Sequence, residues 1–174
     1  MLAISSVIQH CPACGKASFI QNSDKSFRCS ACEFTLFLNP SAAAAVIIEC
    51  DRHLLFAVRG NDPGLGKLDL PGGFVDPYET AEAALARELN EELGLTHVNA
   101  TYFASFPNEY PYKGVTYRTI DMIYTIQFSD RPTLTAADDV ASVCWVARDA
   151  IDPSAIAFTS IRQAVTAYLA APSP

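Results

Sequence analysis

Apolar residues along this chain gather into five strand-like runs and one long helical stripe. Positions 42–49, 53–59, 98–106, 118–128 and 141–146 are rich in Val, Ile, Tyr or Phe and predict strands. Between them, Ala81, Ala84, Leu85 and Leu89 recur at helical spacing and predict a helix over 80–93. Thr80 stands where an N-cap belongs, Glu82 falls in the first turn, and Gly94 sits where a left-handed C-cap would end the helix. A second helix is predicted at 160–170, SIRQAVTAYLA, opening after Thr159. The stretch Asp62-Pro-Gly-Leu-Gly-Lys67 reads as a surface loop. With no internal repeat or low-complexity tract, the expected class is α/β, a mixed sheet with helices packed on it.

The pattern before residue 40 is different. Phe37-Leu-Asn-Pro40 closes one segment and Ala42–Glu49 opens the first apolar run, so the expected division is a small unit at 1–38 and a larger one at 39–174. Four of the six cysteines lie in the small unit as Cys11-Pro-Ala-Cys14 and Cys29-Ser-Ala-Cys32. Each CxxC turn presents two thiolates, and two such turns can close a tetrahedral shell around zinc. Two disulfides are the less favoured reading, because no export signal is apparent and a chain of this length does not depend on covalent staples. A redox CxxC is disfavoured too, since redox motifs come singly and within a βαβ context. Zinc would supply folding energy that the few apolar residues of Cys11–Phe37 cannot. Cys50 and Cys144 fall in strand-like runs and read as core residues.

Charge narrows the partners. The chain of 174 residues is half apolar and carries a net charge of −7. Residues 1–38 hold three basic residues (Lys16, Lys25, Arg28) against two acids (Asp24, Glu33), leaving nine basic against seventeen acidic residues in the remainder. That balance argues against binding nucleic acid through its backbone, which needs a basic surface. An anionic small molecule needs metal ions or a few placed arginines to screen the carboxylates. The longest apolar run, Ala42 to Ile48, is too short to cross a bilayer, so neither membrane nor nucleic acid is expected and a cytoplasmic location is.

The stretch GGFVDPYETAEAALARELNEELGL, Gly72 to Leu95, places Glu79, Glu82, Glu88, Glu91 and Glu92 around one arginine, Arg87. On a helix Glu88 has Glu91 at i+3 and Glu92 at i+4, at a cost of roughly 0.2–0.5 kcal/mol of repulsion per pair. A hard dication offsets that repulsion, because it prefers carboxylate oxygens and leaves positions open for phosphate and water. Arg87 is placed to orient a neighbouring carboxylate, with Glu91 at i+4 as one candidate, and Gly73 allows close backbone approach. The spacing Gly73, five residues, Glu79, seven residues, Arg87-Glu88-Leu89-Asn90-Glu91-Glu92-Leu93-Gly94-Leu95 fills every defined position of the Nudix box. The sequence therefore resembles a Nudix hydrolase. The resemblance implies a Nudix α/β/α sandwich with a mixed sheet from about residue 40 to the end, preceded by a small zinc ribbon. It also implies Mg²⁺ or Mn²⁺ held by Glu88, Glu91, Glu92 and the carbonyl of Gly73, with Glu79 in support. The reaction would be hydrolysis of a nucleoside diphosphate linked to another group. The general base is then either a box glutamate or an acid from a later loop, where Glu109 and Asp139 are the candidates.

A four-cysteine ribbon ahead of a Nudix domain resembles the NADH pyrophosphatases. Of their SQPWPFPxS motif, Ser105-Phe-Pro-Asn-Glu-Tyr-Pro-Tyr112 retains the Ser-x-Pro start and a later proline. Pro111, sixteen residues beyond Leu95, matches a cue of the ADP-ribose pyrophosphatases. Phe106, Tyr110 and Tyr112 can stack on a nucleobase, and Arg59 can meet a phosphate. The expected substrate is a nucleotide-type small molecule, ADP-ribose or NAD(H), with ADP-ribose slightly ahead, and the sequence is compatible with a homodimer. The alternative is a non-catalytic nucleotide-binding or regulatory module of the same fold.

Overall fold

A computed structural model of the chain describes residues 7–135 and 140–171. The first elements are three short strands, β1 (Phe19–Ser23), β2 (Ser26–Cys29) and β3 (Thr35–Phe37), paired antiparallel as a separate sheet. Its small core is Cys11, Phe19, Phe27 and Cys29, with Ile8, Leu36 and Leu38 packed against it. Residues 38–40 link it to the larger sheet.

That sheet is built on β4 (Ser41–Cys50), which runs parallel to β9 (Val115–Phe128) and antiparallel to β5 (His53–Arg59). Two long strands, β8 (Thr101–Tyr112) and β10 (Val140–Ala147), complete the order β10-β5-β4-β9-β8, while β6 (Leu68–Asp69) adds to β5 and β7 (Gly72–Phe74) to β4. Helix α1 (Ala81–Leu93) covers one face and α2 (Thr159–Ala170) the other. Strand β4 is apolar without a break from Ala42 to Ile48. Ala44, Val46 and Ile48 pack under Leu85, Leu89 and Leu93 of α1, whereas Ala45 and Ile47 pack under Ile161, Ala164 and Val165 of α2. Successive side chains point to opposite faces and both faces are covered, so no position from Ala44 to Ile48 is left for a polar residue, whereas Glu49 beyond them pairs with Arg148. The result is a mixed sheet between helices, as the composition of the runs predicts. No helix among the described residues is long and apolar enough to cross a membrane.

Helix α1 begins and ends where its sequence directs. The Thr80 side chain accepts a hydrogen bond from Ala83 N at 3.2 Å, and Gly94 closes the helix at φ 69° with its N–H on the carbonyls of Asn90 and Leu89. The main departure is β8. The runs predict a strand ending at 106 followed by a loop, but the strand continues through Pro107 and Pro111 to Tyr112. β8 is the edge of the sheet and pairs only with β9, so two prolines of the same phase cost no ladder hydrogen bond.

Candidate active site

Strand β7 brings the glycine end of the box against the helix end. It pairs with β4 in the register Ala45↔Gly72, Ala44↔Gly73 and Ala43↔Phe74, and Val46 N donates to Pro71 O at 3.0 Å. Gly72 adopts φ +139°, and a Cβ there would lie 2.2 Å from the Ala44 carbonyl oxygen, so only glycine fits. At Gly73 the obstacle is different: a Cβ would meet Oε1 of Glu88 at 2.3 Å. The missing side chain is therefore the space in which the Glu88 carboxylate rests. Glu92, only 9% exposed, accepts the Gly72 N–H at 3.0 Å and completes the tie between β7 and α1.

Arg87 binds more carboxylates than its i+4 neighbour. Its Nη1 lies 2.7 Å from Glu88 Oε1 and 3.1 Å from Glu91 Oε2, while Nε and Nη2 take both oxygens of Glu79 at 3.1 and 3.0 Å. Nη2 also donates to the Phe74 carbonyl at 3.1 Å, so one guanidinium fastens the box loop to the helix. Glu79 is held below the usual carboxylate range, first by the Arg87 hydrogen bond and also by the Asp76 N–H. The arginine is held in its charged form by Glu79 first and then by Glu88.

These groups line a cavity of about 330 Å³. Gly73, Glu88, Glu91 and Glu92 form one wall, and Arg59, Asp69, Asp121 and Thr119 contribute the floor. The carboxylates suit a hard dication in type and charge. Their oxygens are not all within 4.8 Å of one another; among the described residues only the four thiols of the ribbon are that close. Glu91 is 45% exposed and held only from the Arg87 side, so it is the carboxylate with freedom to swing toward a cation.

Apart from Arg59, the floor is the part that sequence reasoning missed. Asp121 is 6% exposed and accepts hydrogen bonds from the hydroxyls of Thr119 at 2.7 Å and Ser160 at 2.5 Å. Asp69 pairs with Arg59 at 2.7 Å, yet burial pushes its carboxyl up to about 6, against the pull of Arg59 and with a further push from Asp121. The signal was present as a lone carboxylate within each of two apolar runs, Leu68-Asp69-Leu70 and Ile120-Asp121-Met122.

Of the other candidates, Arg59 and Tyr110 line the cavity, and Tyr112 lines the neighbouring cleft with both of them. Phe106 does not; it packs against the core cluster beneath α2. Glu109 is absent from the lining, because strand alternation turns it away from the face that carries Asn108 and Tyr110. Asp139 lies outside the described residues. At the ribbon, Cys11 Sγ lies 3.7 Å from Cys32 Sγ and Cys14 Sγ 3.7 Å from Cys29 Sγ. A tetrahedron with Zn–S bonds of about 2.3 Å has edges of about 3.8 Å, so the thiols are spaced as zinc requires and well beyond bonding distance for disulfides. The Ser18 hydroxyl, 3.2 Å from Cys29 Sγ, draws that thiol down to about 6.

The NUDIX domain family model matches residues 38–168. The chain belongs to the NUDIX family. The box residues Gly73 to Leu95 lie within that match, and enzymes of this family generally use a divalent metal. A stretch of 63 residues, 36% of this chain and 37% of the relative, is 46% identical to a protein named ADP-ribose pyrophosphatase from Methanocaldococcus jannaschii. Over 167 residues the chain is 25% identical to a protein named NAD-capped RNA hydrolase NudC from Deinococcus radiodurans, covering 93% of this chain and 57% of that one. The chain spans about two fifths to three fifths of the length of the curated relatives it matches. Its fold is shared with a crystal structure of a NUDIX hydrolase from Nitrosomonas europaea, with a TM-score of 0.69 over 93% of this chain and 90% of that one at 23% identity.

Proposed function

We propose that this Nudix hydrolase cleaves the pyrophosphate bond of a nucleoside diphosphate linked to another group, with ADP-ribose favoured over NAD(H). The observation that supports this most is a cavity whose one wall is carboxylate and whose mouth is aromatic. It suits a substrate with charged phosphates in the middle and a planar group at one end. The similarity to proteins named for ADP-ribose and for NAD-capped RNA points the same way. The net charge of −7 favours a small molecule over an RNA chain.

In this reading Glu88, Glu91 and Glu92, with the Gly73 carbonyl, hold Mg²⁺ or Mn²⁺. When bound, the cation neutralises phosphate oxygens and acidifies water. Arg87 bridges Glu88 and Glu91 through one nitrogen, offsetting their mutual repulsion, and Glu79 anchors Arg87. Water adds to one phosphorus, the bridging P–O bond breaks, and two monophosphates leave. A box carboxylate takes the proton of the water, since Glu109 faces away from the cavity. In the ribbon, Cys11, Cys14, Cys29 and Cys32 hold a structural zinc.

The test is a phosphomonoester-release screen in Mg²⁺ over ADP-ribose, NADH, NAD⁺, diadenosine polyphosphates, nucleoside triphosphates and NAD-capped RNA. ADP-ribose or NAD(H) should lead. A triphosphate exceeding both in kcat/KM by tenfold, about 1.4 kcal/mol of discrimination, overturns the substrate assignment.

A further inference from the structure

The floor of the cavity holds polar groups that the box chemistry leaves unused. Asp121, on β9, accepts the Thr119 hydroxyl through Oδ1 and the Ser160 hydroxyl through Oδ2. Asp69, on β6, accepts the Leu70 N–H at 2.9 Å through Oδ1 and pairs with Arg59 through Oδ2. A carboxylate oxygen has two lone pairs and each of these spends one on the protein, so both acids keep acceptor capacity, and both line the cavity. Burial pushes the Asp69 carboxyl up and the charge of Asp121 adds to the push, so the two acids share one space. Asn108 lines the cavity too, beside its register partner Thr119, and its carboxamide has no hydrogen-bond partner among the described residues.

The bond to Ser160 ties β9 to the first turn of α2, which gives one oxygen of Asp121 a structural task. It leaves Asp69 and Asn108 without one. Two carboxylates against a single guanidinium make a floor that accepts hydrogen bonds and repels anions. Resting on the substrate reading above, with the planar end of the substrate at the mouth, we propose that Asp121 and Asp69, with Asn108 beside them, select the group beyond the diphosphate. They accept hydrogen bonds from the hydroxyls of a terminal sugar and turn away a phosphate in the same place. A nucleoside triphosphate presents its third phosphate where ADP-ribose presents a ribose, so the floor separates the two by attraction to one and repulsion of the other.

The experiment compares the wild type with Asp121→Asn and Asp69→Asn, both nearly isosteric, with thermal unfolding recorded for each. In Mg²⁺, binding of ribose 5-phosphate and of AMP is measured by calorimetry, and KM and kcat are measured for ADP-ribose and for ATP. In either variant ribose 5-phosphate affinity should fall about tenfold, as expected for a weakened hydrogen bond to a charged acceptor, while AMP affinity stays within twofold. The kcat/KM for ADP-ribose should fall by a similar factor, mainly through KM, and that for ATP should rise, because a charge facing its third phosphate is gone. Equal losses for ADP-ribose and ATP overturn the proposal, as does a fall in AMP affinity with ribose 5-phosphate unchanged. Asp69→Asn carries no tie to α2, so it decides the matter alone if Asp121→Asn does not fold. If ribose 5-phosphate binding responds as expected while the wild type does not cleave ADP-ribose, the role of the floor stands and the substrate reading fails, so the two are separable.

Discussion

Replacing Gly73 by alanine adds one methyl group at the point where β7 meets the Glu88 carboxylate. The new Cβ would lie 2.3 Å from Oε1 and 2.5 Å from Cδ of Glu88, whereas carbon atoms rest at about 3.5–4.0 Å from their neighbours. The carboxylate therefore has to move by about 1 Å, and its 2.7 Å contact with Arg87 goes with it. The cost to stability is small. The obstacle is the far end of a flexible side chain, and the partly exposed ion pair with Arg87 is worth about 0.5–1 kcal/mol. Alanine recovers roughly 0.5–1 kcal/mol over glycine inside a strand. The unfolding free energy should thus change by less than about 1 kcal/mol, while a ligand misplaced by 1 Å costs about a hundredfold in rate. Thermal unfolding and kcat/KM for ADP-ribose across a Mg²⁺ titration measure the two effects on the same protein. Activity within threefold of wild type would show that the position of Glu88 does not matter to the chemistry. Gly72→Ala is the contrasting control: its Cβ would strike backbone, 2.2 Å from Ala44 O at φ +139°, so this variant should fail to fold stably.

Glu91→Gln and Glu92→Gln should each lower turnover by about two orders of magnitude without unfolding the protein, since a glutamine carbonyl can still accept the Gly72 N–H at position 92; near-full activity would remove that residue from the metal wall. The purified protein should carry one zinc per chain by metal analysis, and Cys14→Ser should abolish it and loosen the ribbon while the larger sheet unfolds at an unchanged temperature. Asp69 gives a pH signature. Its carboxyl is raised from 3.8 to about 6 by burial, so the folded state keeps the proton longer than the unfolded chain and the stability from this residue is lost as pH rises through about 6. Denaturant titrations between pH 4 and 7 should therefore show Asp69→Asn gaining on the wild type as pH rises, and a pH-independent difference would show that Asp69 titrates normally.

What could be read from the chain follows from how local each feature is. Helix α1 was legible to its caps because Thr80, the 3.6-residue stripe and Gly94 all act within one turn of where they stand. The box was legible because its glutamates, Arg87 and Gly73 are spaced by that same helix and one short turn. The paired CxxC turns announced a shared thiol shell, and the fold only set the sulfur spacing at 3.7 Å. The full length of β8 is not legible locally because proline ordinarily ends a strand, and only the strand order shows that Pro107 and Pro111 sit on an edge. The same geometry decided the fate of its side chains. Phe106 lies beneath α2 and became core, Glu109 alternated to the other face, and Tyr110 and Tyr112 ran past the helix into the open. Asp69, Asp121 and Ser160 are far apart in sequence and meet only because β6, β9 and α2 converge under the cavity. Pairings of that kind depend on sheet order and helix placement, which no local pattern encodes.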